Sequence, residues 1–134
     1  MRVYADGSCK DNPGLMGIGV SIQNGDGKEL EAISLEVGQG TNNQAEFLAA
    51  IEGTMLAYTL DPTSLELILD SELVVKALNG EYKLKNEELR ELCDELEVIL
   101  GKFRSISVTH VRRSQNRRAG ALAKAALTRE AATV

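Results

Sequence analysis

The tetrapeptide Asn24-Gly25-Asp26-Gly27 separates two runs in which apolar residues recur at alternate positions. Ile18, Val20 and Ile22 precede it; Leu30, Ala32, Ile33, Leu35 and Val37 follow it. A period of two is the mark of a strand with one buried face, and Asn-Gly or Asp-Gly between two such runs is the strongest short-range signal for a hairpin. Strands over residues 16–24 and 28–37 must therefore pair antiparallel, which limits the fold more than any other feature. An earlier run, residues 2–8, alternates Val3 and Ala5 with Arg2, Tyr4 and Asp6. It reaches the hairpin through a turn written Asp11-Asn12-Pro13-Gly14. Three antiparallel strands come first.

After a loop over residues 38–43 the period changes to that of a helix. Thr41 or Asn42 suits the N-cap. Phe47, Leu48, Ile51, Met55 and Tyr58 form an apolar stripe, and Ala45, Ala49, Ala50, Gly53 and Ala57 form a small-residue face for close packing on a sheet. Asp61-Pro62 turns the chain. Residues 65–70 are an apolar run ending in Asp70, as expected of a buried parallel strand. A short helix over 71–78 stops at Asn79-Gly80. Residues 86–103 are the clearest amphipathic helix, with Leu89, Leu92, Cys93, Leu96, Ile99, Leu100 and Phe103 on one face. A last strand, 105–111, alternates through Ile106 and Val108, and an alanine-rich helix begins at Ser114 or Asn116 and runs to about residue 130. The order βββαβααβα predicts an α/β fold: a five-stranded mixed sheet, three antiparallel strands then two parallel, flanked by helices.

A chain of 134 residues without repeats or linkers fits a single domain over 1–134. Cys9 and Cys93 form neither a disulfide framework nor a CxxC pair, so a reduced, cytoplasmic setting is expected. Residues 1–30 lack a signal-peptide pattern, and no apolar run approaches the ~18 residues that span a bilayer. The protein is expected to act as a monomer away from membranes. The net charge of -5 taken alone disfavours nucleic acid, but it is unevenly spread. Residues 86–97 hold six acids against Arg90, whereas residues 112–118 hold four arginines and no acid.

Three acids stand where chemistry can be built. Asp6 ends the first strand, Asp70 ends the fourth, and Glu46 lies in the first turn of the first long helix. If strands one and four are parallel neighbours, Asp6 and Asp70 meet at the carboxyl edge of the sheet, where ligands of such sheets bind. Clustered carboxylates repel unless a cation lies among them, and hard oxygen donors suit Mg2+ or Mn2+. Two such ions about 4 Å apart are the standard equipment of phosphodiester cleavage. Each acid taken alone is more often a solvated strand end or a dipole-complementing helix start.

The adjoining residues resemble a known family. Asp6-Gly7-Ser8-Cys9-x-x-Asn12-Pro13-Gly14, Thr41-Asn42-Asn43-Gln44-Ala45-Glu46 and Leu69-Asp70-Ser71-x-Leu73-Val74-Val75 look like type 1 ribonuclease H. Residues 78–86 and the run His110 to Ala123 resemble its compact bacterial and archaeal branch. The resemblance implies an Asp-Glu-Asp-Asp site that binds two Mg2+, with Mn2+ as a possible substitute. It also implies endonucleolytic hydrolysis of the RNA strand of an RNA/DNA hybrid, leaving a 3'-hydroxyl and a 5'-phosphate. Asp6, Glu46 and Asp70 match the first three acids as catalytic residues and metal ligands. The fourth position is Gly120, so the implied activity is reduced. The alternative is a catalytically defective homologue that binds hybrid or structured nucleic acid.

Asn12, Asn42 and Asn43 match positions that touch the minor groove and the RNA 2'-hydroxyls, Gln44 is a weaker candidate, and Cys9 matches a position beside the DNA strand. Arg113 occupies the loop before the last helix, where an arginine in the compact branch is implicated in activity. His110 falls within the last strand and is not assigned a catalytic role. For Arg112, Arg117 and Arg118 the sequence fits phosphate contact and plain solvation equally. Larger members carry a basic protrusion between two middle helices; here Lys83 and Lys85 are its residual basic content. Binding is therefore expected to be weaker and salt-sensitive, with the acidic face of residues 86–103 turned away from the hybrid.

Overall fold

A computed structural model describes residues 1–132. The hairpin predicted from Asn24-Gly25-Asp26-Gly27 is present and its turn chemistry is visible. Asn24 Oδ1 accepts the backbone N–H groups of Asp26 and Lys28 at 2.9 and 3.0 Å, and Gly27 takes a φ of 82° that suits a residue without a Cβ. The flanking strands are β2 (Gly14–Gln23) and β3 (Glu29–Gly40), and β1 (Arg2–Cys9) pairs antiparallel with β2. β3 is longer than the alternation suggests, because Gln39 and Gly40 still pair with Leu15 and Gly14 of β2.

The chain then crosses over through α1 (Asn42–Leu60) to β4 (Ser64–Leu69), which lies parallel to β1. Two helices, α2 (Glu72–Leu78) and α3 (Glu87–Leu100), lead to β5 (Ser105–His110), parallel to β4. A single 3-10 turn over Arg113–Gln115 precedes α4 (Arg117–Ala132). The strand order is β3-β2-β1-β4-β5, so the sheet is mixed and five-stranded as the sequence predicts. Residues 79–86 alone join α2 to α3. No helix among the described residues is long and apolar enough to cross a membrane.

The two faces of the sheet are covered differently. Val3, Ala5, Ile18, Val20 and Ile22 point to the α1 side and are fully buried. There they meet the small-residue face of α1, and α3 backs α1 with Leu89, Cys93, Leu96 and Leu100, spaced as one helical stripe. β4, central and parallel, is buried almost throughout at Leu65, Leu67, Ile68 and Leu69. On the other face α4 presents Ala119, Ala123 and Ala126, all buried. It can come close because β2 offers Gly17 and Gly19 there. A Cβ on Gly19 would lie 2.0 Å from the Ala119 carbonyl oxygen, and one on Gly17 would lie 2.5 Å from that of Ala123.

Some expectations give way to tertiary contacts. Met55 and Tyr58 are 46% and 38% exposed rather than core, although Tyr58 stacks edge-on against Phe103 with ring centroids 5.4 Å apart. Ile106 is 45% exposed, because β5 is an edge strand and its flank beyond β4 has no partner strand among the described residues.

Candidate active site

The parallel register of β1 and β4 ends at Ala5 opposite Leu69. The next residue on each strand is an acid, so Asp6 and Asp70 stand side by side at the carboxyl edge. Glu46 reaches them from α1. The helix can approach this closely because residue 7 has no side chain: a Cβ on Gly7 would lie 2.3 Å from the Ala45 carbonyl carbon. The start of α1 is fixed by a capping box. Thr41 Oγ1 accepts the Gln44 N–H at 3.2 Å while Gln44 Oε1 accepts the Thr41 N–H at 2.8 Å. The three acids each offer an oxygen within 4.8 Å of the others.

This cluster is electrostatically unfavourable as it stands. Asp6 is pushed up to about 6, first by burial and then by the Asp70 charge. Glu46 is pushed up to about 10, again first by burial and then by the Asp6 charge. Its Oε2 is buried and accepts no hydrogen bond within the protein. Both carboxyls are thus raised by burial and by the charges around them. A hard divalent cation answers all three observations: it neutralises the repulsion, gives the orphaned oxygen a partner and prefers oxygen donors. The residues present thus fit such an ion.

The cluster opens into a cleft of ≈ 770 Å³ whose other walls include Ser8, Asn42, Asn43, Ser71, Arg113 and Gly120. Arg113 Nε lies 3.9 Å from Asp70 Oδ2 on a side chain that is 92% exposed. A Cβ on Gly120 would meet Asp6 Oδ2 at 3.0 Å and no other atom within 4 Å apart from its immediate surroundings on the helix. Position 120 therefore faces the cluster and brings it no ligand. Asn116 ties the two sides of this junction together. It is 2% exposed, its Nδ2 donates to the Ala5 carbonyl at 2.9 Å, and its own carbonyl accepts the Gly120 N–H at 3.1 Å.

Beside the cleft, Asn12, Asn42 and Asn43 line a polar groove of ≈ 470 Å³. Asn12 Oδ1 accepts the Asn42 N–H at 3.1 Å, so the β1–β2 turn and the start of α1 are one unit. Gln44 is committed elsewhere, to the capping box and to Glu88 of α3, towards whose carboxylate its Nε2 donates. Glu88 therefore lies beside the asparagine groove, and the acidic face of α3 is not turned wholly away from it. Cys9 is half-buried, with Sγ donating to the Gly40 carbonyl at 3.2 Å. His110 is the exposed last residue of β5 and stands outside the lining of the cleft. Arg118 is spent on Glu29, with Nε and Nη2 at 3.0 and 3.1 Å from its two oxygens; Ser21 Oγ donates to the same carboxylate at 2.7 Å.

Residues 4–126 match the family model described as Reverse transcriptase-like. The ribonuclease HI of Halobacterium salinarum is 36% identical over 127 residues, which is 95% of this chain and 64% of that protein. The chain belongs to the type 1 ribonuclease H family. The crystal structure of the Halobacterium enzyme superposes with a TM-score of 0.92, covering 95% of this chain and 96% of that one. LC11-RNase H1, whose structure is a complex with an RNA/DNA hybrid, superposes at 0.90 with 30% identity, over 96% and 97% of the two chains. A bifunctional protein of Mycobacterium tuberculosis is 33% identical over 126 residues, 93% of this chain but 35% of its own length. The chain thus spans about a third to two thirds of these curated relatives.

Within the family frame, two cleft residues carried no signal that sequence reasoning used. The sequence marks Asn116 only as a helix start; a buried asparagine before a helix is distinguishable once its partner, 111 residues away, is known. Lys124 lines the cleft from the middle of α4. Its spacing of four from Gly120 was the available clue.

Proposed function

We propose that this chain is a metal-dependent endonuclease that hydrolyses the RNA strand of RNA/DNA hybrids. The observation that carries the reading is the convergence of Asp6, Glu46 and Asp70, within 4.8 Å of one another, at the base of a cleft walled by Asn42 and Asn43. Asp6, Glu46 and Asp70 would hold the cation, Mg2+ in the cell and Mn2+ as a substitute. When bound, it supplies Lewis acidity to the phosphodiester. Because burial and the Asp6 charge raise the Glu46 carboxyl, cation binding should tighten as pH rises. Asn12, Asn42 and Asn43 orient the RNA strand, since a side-chain amide both donates to and accepts from a 2'-hydroxyl, the group that separates RNA from DNA. The link from Asn12 to the Asn42 N–H fixes these amides relative to Glu46, four residues on along the same helix. Arg113, a long exposed arm beside Asp70, takes a phosphate of the substrate.

Gly120 lowers the rate, because the wall facing Asp6 brings no fourth carboxylate. The test is cleavage of an end-labelled hybrid. RNA-strand cleavage is expected to be slow in Mg2+, faster in Mn2+ and absent in EDTA, and Gly120→Asp is expected to raise it. If wild type and Gly120→Asp both bind the hybrid and neither cuts in either metal, the hydrolase reading is wrong. The second reading, a catalytically defective homologue that binds hybrid or structured nucleic acid, would then hold; the glycine opposite Asp6 is the observation in its favour.

A further inference from the structure

α4 contributes Arg117, Gly120, Ala121 and Lys124 to the cleft. The spacing i, i+3, i+4, i+7 is one face of a helix. A cation stands at each end of that face, and nothing longer than a methyl stands between them. Arg117 and Lys124 are about 10.5 Å apart along the axis at ~1.5 Å per residue. That gap exceeds the reach of one phosphate group, so the two cations can meet two different phosphates of one strand. Among the described residues neither side chain is engaged in a hydrogen bond or an ion pair. Arg118, the next residue in sequence, is off this face and bound by both nitrogens to Glu29. The bare middle of the stripe is also its nearest approach to the acids, since position 120 directs its missing Cβ at Asp6 Oδ2. A cleft that holds three carboxylates in a chain of net charge -5 repels a phosphodiester unless local cations offset them.

We propose that Arg117 and Lys124 bind two different backbone phosphates of the strand to be cut, laying it along α4 with Gly120 and Ala121 as the smooth floor between them. This rests on the hydrolase reading for the identity of the strand. It adds two substrate-contact residues and a direction, along α4 and past Asp6. Such contacts position the strand without reading its sequence.

The experiment is fluorescence anisotropy of a labelled RNA/DNA hybrid in EDTA, with affinity measured as a function of KCl concentration. Each phosphate contact contributes about 0.9 to the slope of log affinity against log salt. Arg117→Ala and Lys124→Ala are expected to flatten the slope by about 0.9 each, and the double variant by about 1.8. The loss should be uniform across hybrid sequences. Arg118→Ala, on the opposite tie to Glu29, should keep the wild-type slope. Alanine sustains a helix, so circular dichroism of the variants should match wild type. A double variant that is folded and keeps the wild-type slope overturns the proposal, as does a wild type that does not bind the hybrid. Cleavage is not read in this assay. A protein that binds with the expected slopes but never cuts overturns the hydrolase reading and leaves this one standing; one that cuts, with slopes unmoved, does the reverse.

Discussion

Two helices wall the cleft from opposite faces of the sheet, α1 on one side and α4 on the other. Each comes close because a strand offers glycine beneath it: Gly7 under Ala45 for α1, Gly17 and Gly19 under Ala123 and Ala119 for α4. In backbone terms the two walls are built alike. In chemistry they differ, since α1 delivers the carboxylate of Glu46 and α4 delivers the bare backbone of Gly120. The approach of a wall and the group it carries are thus set by different residues. Changing the glycine beneath a helix should damage the fold, while changing the side chain facing the cleft should change the reaction and little else.

The largest effect should come from the complete side. Glu46→Gln or Asp6→Asn is expected to cut hybrid cleavage by about 10³-fold, the loss of several kcal/mol of charge stabilisation, with the fold intact by circular dichroism. Cleavage that survives Asp6→Asn would end the assignment of the central acid. On the incomplete side, Gly120→Asp should raise the Mg2+-supported rate by roughly tenfold or more, an effect of ~1.4 kcal/mol or above. Its new carboxylate enters beside Asp6, so in EDTA the variant should melt below wild type and recover with Mg2+; like charges at such distance disfavour the metal-free fold.

The glycines test the other half of the comparison. Gly7→Ala and Gly19→Ala place a methyl on backbone atoms that cannot move aside, and each should cost about 2–4 kcal/mol in urea unfolding whichever helix is involved. Unequal losses would mean that one wall yields where the other does not.

The remaining test is in pH. Asp6 is raised from an ordinary carboxyl value to about 6, and Glu46 to about 10. The folded state therefore binds protons more tightly than the unfolded chain, and stability falls as pH rises above the unfolded value. Metal-free protein should lose melting temperature from about pH 4 to pH 6 as Asp6 ionises, and lose more above that on account of Glu46. Mg2+ should reverse the trend at the upper end, and Asp6→Asn should flatten the lower part. A melting temperature that rises through this window without metal would contradict the repulsion described for the cluster.

Much of this was legible in the chain because the signals are local. Alternation, the Asn24-Gly25-Asp26-Gly27 turn and the change to helical period mark the elements and their order along the chain within short windows, and an acid at the end of a strand needs no distant partner to be noticed. What the chain did not disclose depends on contacts far apart in sequence. Arg118 was as plausible a phosphate ligand as Arg117 until Glu29, 89 residues away, claimed it. Ile106 read as core because alternation does not say which strand lies at the edge. Gln44 is the exception: Thr41-x-x-Gln44 is a capping-box pattern written in four consecutive residues, and it was available to be read.

Asn116 bears on how such a site can change over time. One buried amide holds the last carbonyl before Asp6, and the same residue's backbone holds the amide of Gly120. The offset between strand and helix is therefore fixed by a residue that carries none of the chemistry. The number of carboxylates in the cleft can change by one substitution at position 120 without moving that offset. Gain and loss of the fourth acid lie a single mutational step apart, and the scaffold answers through the charge beside Asp6 rather than through this offset.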